Sequence, residues 1–85
     1  MFYPVCVFFG PVEKEMRFIA VDDSCVWGIK TNGDVFLRTD VSRQRPQGKG
    51  WQTIKQNTGF VQASCLNGIV WFLDEKNAIH VYKGL

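Results

Sequence analysis

Short apolar runs separated by polar, turn-forming residues recur along the chain, and this pattern predicts β-strands. Strands are expected at Val5–Phe9, Phe18–Val21, Cys25–Ile29, Val35–Arg38, Trp51–Ile54, Phe60–Cys65, Ile69–Leu73 and Ala78–Tyr82. Asp22-Asp23-Ser24, Leu66-Asn67-Gly68 and Asp74 to Asn77 read as turns. Asn32-Gly33 lies between two apolar runs, where both residues tolerate positive φ, and it predicts a tight type I′ hairpin. The polar stretch from Thr39 to Gly50 carries Pro46, Gly48 and Gly50, so it reads as a loop. Helical periodicity is weak; only Val12–Arg17 could turn helically.

The pattern repeats. Setting Trp27 on Trp71, 44 residues further on, puts Val26 on Val70, Ile29 on Leu73, Val35 on Ile79 and Leu37 on Val81, with Ala20 on Ser64. A period of about 40–45 residues with three or four strands per unit is the size of a propeller blade. One such unit has two apolar faces and buries neither alone, so it must stack on neighbours. Strand alternation puts Val35 and Leu37 on one face, Phe36 and Arg38 on the other; Ile79 and Val81 against His80 and Tyr82 repeat that division. The fold class expected is all-β: two antiparallel β-propeller-type blades, as a fragment or an oligomerising unit. The boundaries are 1–17 for a leader segment or the end of a preceding blade, 18–59 for the first blade, and 60–85 for a partial second one.

The first unit reads Val26-Trp27-Gly28-Ile29, then Asn32-Gly33-Asp34-Val35-Phe36-Leu37-Arg38, Pro46-Gln47-Gly48, and Trp51-Gln52-Thr53-Ile54. This succession resembles the tectonin repeat. In the second unit Val70-Trp71 stands, Phe72 replaces the glycine, His80 takes the aromatic position and Tyr82 the arginine position. The resemblance implies a β-propeller and a binding role. Tectonin-like proteins include lectins for glycans and lipopolysaccharide, and intracellular proteins of autophagy and membrane trafficking that hold partners on the propeller.

Composition narrows the chemistry. Hydrophobic residues at 46% and charged residues at 21% suit a folded globular chain, and seven Phe, three Trp and two Tyr supply bulky core material. A net charge of +2 selects no partner class. The apolar opening Met1 to Pro11 has no basic residue before it and is broken by Pro4, so neither a signal peptide nor a membrane span is expected. Cys6, Cys25 and Cys65 form no CxxC, and with a single histidine they build no zinc or redox pattern; buried thiols are expected. A Cys25–Cys65 bridge is open if the protein is secreted.

An enzyme would have to be built around His80, which lies mid-strand; a packing or surface role is expected instead. The acidic pairs Asp22-Asp23 and Asp74-Glu75 read as turn formers. No catalytic activity, cofactor or metal is expected. The loop region offers the one candidate binding patch: Arg38, Arg43, Arg45 and Lys49 beside Trp51, suited to an acidic protein segment, an acidic glycan or a phospholipid head group. Nucleic acid is not expected as a partner. Trp27 and Trp71, at equivalent positions, read as core pegs, and Trp51 as the more accessible of three core-directed tryptophans. The function expected is a non-enzymatic protein-binding or scaffolding module in cytoplasmic trafficking or autophagy, paired with other blades or with copies of itself. The alternative is a secreted glycan- or lipopolysaccharide-binding lectin.

Overall fold

The computed structural model describes residues 10–22 and 25–83. Seven strands form two antiparallel sheets, and no helix occurs among the described residues. The first sheet runs in chain order: β1 (Phe18–Val21), β2 (Val26–Ile29), β3 (Val35–Thr39) and β4 (Gly50–Lys55). The second runs β5 (Phe60–Leu66), β6 (Ile69–Asp74) and β7 (Ile79–Lys83). The strand expected at Val5–Phe9 lies outside the described residues. The Val12–Arg17 stretch is not helical.

The 44-residue repeat is a repeat of register as well as of sequence. Trp27 pairs with Ala20 on one side and Leu37 on the other, and Trp71 pairs with Ser64 and Val81. Ile29 lies between Phe18 and Val35, and Leu73 between Gln62 and Ile79. Directly paired residues point to the same side of a sheet. Each sheet therefore has two matching faces. In the first sheet, Ala20, Trp27, Ile29, Val35 and Leu37 form a Trp27 face; Ile19, Val21, Val26, Gly28, Phe36 and Arg38 form an Arg38 face. In the second, Ser64, Trp71, Leu73, Ile79 and Val81 form a Trp71 face; Ala63, Cys65, Val70, Phe72, His80 and Tyr82 form a Phe72 face.

The core lies where the Trp27 face meets the Phe72 face. Ala20, Trp27, Ile29, Val35, Val70 and Phe72 are buried there, with Phe60, Ala63 and Cys65 packed around them. Trp27 is 1% exposed, and Phe72 and Tyr82 approach its ring edge-on at 6.1 and 6.0 Å between centroids. Phe60 stacks on Phe72 at 4.5 Å. Burying each such large side chain contributes about 1.5–3 kcal/mol. Neither sheet could bury these residues alone.

The turns follow local chemistry, with one correction to the sequence reading. The hairpin between β2 and β3 is not a type I′ turn: only Gly33 has positive φ, at 88°. Gly33 N–H donates to the Lys30 carbonyl at 2.9 Å, and Lys30 N–H to the Asp34 carbonyl at 2.9 Å. This is a longer loop closed by one left-handed residue. Asn32 stays in an ordinary conformation because its amide group binds locally, accepting from Asp34 N–H through Oδ1 at 3.1 Å. The second sheet repeats the loop, with Asp74 and Asn77 in place of Lys30 and Gly33 and Asn77 at φ 67°. A two-residue turn with both residues at positive φ occurs at Asn67-Gly68 instead, 53° and 78°, closing β5 onto β6.

Hydrogen bonds fix the two sheets at opposite ends, one set between their turns and the other between the first sheet and the β4–β5 connection. Asp22 Oδ1 accepts from Cys25 N–H at 2.8 Å, while its Oδ2 accepts from Gly68 N–H in the second sheet at 3.2 Å. At the other end, the Gly33 carbonyl accepts from Thr58 N–H at 3.1 Å and from the Thr58 hydroxyl at 2.6 Å. A side chain on Gly33 would press on the backbone there, since a Cβ would stand 2.8 Å from Gly59 N.

Candidate functional site

Arg38 and Trp51 face each other across β3 and β4, and the structure brings them into direct contact. The guanidinium carbon sits 5.1 Å from the centroid of the Trp51 ring. Arg38 is buried: its Nε donates to the Gln47 carbonyl at 2.8 Å and its Nη2 to Glu13 Oε1 at 3.0 Å. Its Nη1 finds no acceptor among the described residues. The Arg38 bond, more than any other contact, holds the Glu13 carboxyl below its ordinary value. Trp51, half-buried, donates its indole N–H to the Glu13 carbonyl at 2.8 Å and meets the Phe36 ring edge-on at 6.5 Å. Both side chains are therefore already held by protein groups.

Residues 12–16 lie along this same face. Met16 covers Gly28, where a Cβ would come within 2.8 Å of its sulfur, and Lys14 Nζ stands 5.3 Å above the Phe36 ring. The loop from Asp40 to Lys49 folds back on the sheet. Lys49 N–H donates to the Thr39 carbonyl at 2.8 Å and Gly48 N–H to the Arg45 carbonyl at 3.0 Å. Gly48, at φ 66°, is buried against Thr39 and Arg38. Arg43, Arg45 and Lys49 are exposed on this loop and join neither Arg38 nor Trp51 by a hydrogen bond or ion pair among the described residues. Arg45 instead borders a shallow hollow with Asp40, Ser42 and Gln44. The five residues singled out in the sequence thus split into a buried Arg38–Trp51 pair and three solvated bases.

Trp71 departs from the sequence reading. It stands at the position of Trp27, yet it is 53% exposed. Ile79 at 68% and Val81 at 55% are open beside it, where their counterparts Val35 and Leu37 are covered. The cause is stacking: the Phe72 face covers Trp27, and no described residue covers Trp71. A hollow lined by Gln62, Ser64, Trp71, Leu73 and Ile79 opens on this face. Alternation in β6 and β7 could have marked these residues as one face; what hides it in the sequence is that burial depends on the neighbouring sheet. Across the molecule, Ile19 and Val21 are exposed on the Arg38 face, beside an apolar hollow lined by Val12, Val26, Pro46 and Trp51.

The titratable groups act locally. Asp74 Oδ1 accepts from Lys76 and Ala78 N–H at 2.9 Å each, and its Oδ2 lies 2.9 Å from His80 Nε2. His80 leans on the Phe60 ring at 4.9 Å. The His80 bond, followed by the Ala78 backbone bond, holds the Asp74 carboxyl below its ordinary value of 3.8. A carboxyl lowered by folding stabilises the fold above its unfolded pKa, and that contribution is lost as pH falls through the folded value. The β6–β7 hairpin is therefore expected to loosen below about pH 4. Acid titration followed by amide exchange should show this loss in the native chain and a flatter response in Asp74→Asn; identical acid midpoints would exclude the mechanism.

Cys25 and Cys65 are half-buried thiols beside the core, and burial raises the Cys65 thiol, with nearby Asp22 and Cys25 adding to the effect. Among the described residues no three His, Cys, Asp or Glu side chains converge to hold a metal ion. No described helix is long and apolar enough to cross a membrane.

Comparison with known proteins agrees with this architecture. The family model described as the tectonin domain matches residues 8–84. The human tectonin beta-propeller repeat-containing protein 2 is similar at 31% identity over 70 residues, which is 80% of this chain and 5% of that protein. The chain thus spans about a twentieth of the relative's length. With two antiparallel sheets in matching register and a family match over nearly its whole length, the chain belongs to the tectonin domain family.

Proposed function

We propose that this chain is a non-enzymatic protein-binding module of a tectonin β-propeller, acting as a scaffold in cytoplasmic trafficking or autophagy. The observation that carries the reading is the uncovered Trp71 face. Monomeric proteins rarely leave a contiguous set of large apolar residues in water, and such patches mark interaction surfaces. Trp71, Ile79 and Val81 form one on regular strands, where side-chain positions are held by pairing. Proximity labelling in cells tests it. The native chain is expected to label a set of trafficking or autophagy proteins, and Ile79→Lys with Val81→Lys to lose at least about ten-fold of that signal, the equivalent of 1.4 kcal/mol of binding. Equal labelling by both chains would overturn the assignment of the face.

The rival reading, an acidic-glycan or lipopolysaccharide lectin using Arg43, Arg45 and Lys49, finds support in the exposure of those three bases. It draws less from Trp51, whose indole N–H and ring are engaged by Glu13, Arg38 and Phe36. Sugar-competable binding on a glycan array, lost in an Arg43→Ala, Arg45→Ala, Lys49→Ala triple variant, would replace the scaffold reading with this one.

A further inference from the structure

Among the described residues the chain carries one complete interface, an open copy of one of its halves and a partly covered copy of the other. Inside the molecule the Trp27 face of the first sheet is covered by the Phe72 face of the second. The Trp71 face repeats the Trp27 face position by position: Ser64, Trp71 and Val81 stand for Ala20, Trp27 and Leu37, and Leu73 and Ile79 for Ile29 and Val35. It is uncovered. The Arg38 face likewise repeats the Phe72 face, with Ile19, Val21 and Val26 standing for Ala63, Cys65 and Val70. Val70 is fully buried in the core, and Ala63 and Cys65 pack around it; Ile19 and Val21 are open to water.

We propose that the Trp71 face of one chain takes the Ile19–Val21–Val26 half of the Arg38 face of a second copy, so that copies stack head to tail through the contact that already joins the two sheets. The proposal rests on the reading of the Trp71 face as a protein-binding surface and names its occupant. The register defines which surface fits: the face that seats Trp27 is built from the residues equivalent to Ile19, Val21 and Val26. The other half of the Arg38 face is filled within the chain by Met16 over Gly28 and Lys14 over Phe36, which confines the contact to the open half. The open half is suited to a desolvated contact. Its three residues are apolar, and the buried guanidinium beside them is paired with Glu13. The contact is heterologous, since each copy uses a different face, and such contacts build closed rings or open filaments according to the rotation they impose.

Mixing two blocked chains tests this directly. Ile79→Lys with Val81→Lys blocks the Trp71 face; Ile19→Lys with Val21→Lys blocks the other. All four positions are exposed, so the sheets should fold unchanged, which circular dichroism checks. By light scattering at about 100 µM, a concentration that fills contacts of micromolar dissociation constant, the native chain is expected above monomer mass. Each blocked chain is expected as a monomer, and their equimolar mixture as a dimer that grows no further, each chain offering its one intact face. A monomeric native chain overturns the proposal by itself, whatever the variants do. So does a mixture without dimer, or a chain blocked only at Ile19 and Val21 that still self-associates, which would signal a symmetric contact between Trp71 faces. A monomeric native chain whose cellular labelling still depends on Ile79 and Val81 would remove the second copy as occupant and leave the binding-module reading standing.

Discussion

Trp27→Ala is expected to cost about 3 kcal/mol of folding stability, whereas Trp71→Ala, the same substitution one repeat later, should cost well under 1 kcal/mol in the isolated chain. Trp27 is enclosed between the sheets and touched edge-on by Phe72 and Tyr82, so its removal leaves a cavity that the two sheets cannot close without breaking strand pairing. Truncation of buried aromatics ranges over about 3–5 kcal/mol. The lower end applies because the Trp27 indole N–H has no acceptor among the described residues, and deleting an unpaired buried donor returns part of the loss. A domain of this size is stable by roughly 4–13 kcal/mol, so the change takes a large share of the total. Urea unfolding of the two variants side by side measures it. Equal shifts in midpoint would contradict the stacking assignment, because sequence equivalence alone would then decide the effect.

Arg38→Ala is expected to lower stability by about 2 kcal/mol and to free the loop between β3 and β4. One side chain joins three elements: the Gln47 carbonyl of the loop, Glu13 of the preceding segment, and the Trp51 ring on β4. A hydrogen bond to a charged group contributes about 1.5–3 kcal/mol, but the Glu13 side chain is 54% exposed, so its ion pair is screened and adds little. The Gln47 bond and the Trp51 contact dominate. Arg38→Lys keeps the charge without the planar fork that reaches both partners while lying on the ring, and should recover less than half of the loss. Limited trypsin digestion reads the loop directly, through faster cleavage after Arg43, whose next residue is Gln44, in Arg38→Ala. An unchanged unfolding midpoint together with an unchanged cleavage rate would show the bonds to be incidental.

Much of the fold is legible in the chain because two strong local signals agree. Alternating apolar residues bounded by turn formers place β1 at its observed limits and β2 to β7 within a residue at each end. The Trp27–Trp71 offset then supplies the correspondence between sheets, which the pairing registers reproduce. Turn type was less legible. Asn32-Gly33 and Asn67-Gly68 are the same dipeptide, yet only the second adopts two positive φ values. The difference lies at Asn32, whose amide oxygen accepts from Asp34 N–H inside a longer loop closed between Lys30 and Asp34, a context that the dipeptide does not encode.

The candidate site was legible in part for a related reason. Basic residues between Arg38 and Lys49 are visible as composition, but whether each faces water depends on strand parity and on what lies above the sheet. Arg38 falls on the outer face that Glu13 and the Gln47 loop cover, and Arg43, Arg45 and Lys49 on the loop itself. Glu13, which accepts from both Arg38 and Trp51, carries no local signal of that role, since its partners lie 25 and 38 residues away. The openness of Trp71 is likewise a property of the neighbouring sheet.

The two ties between the sheets make the pair, and not the single sheet, the mechanical unit of this molecule. Asp22 clasps the Asn67-Gly68 turn at one end, and Thr58 grips Gly33 at the other. A torque that would swing one sheet about the other must therefore break polar bonds at both ends while opening the apolar layer between them. Local opening of the second sheet alone exposes the Trp27 layer as well, so the two sheets share a common fate under heat, force or denaturant.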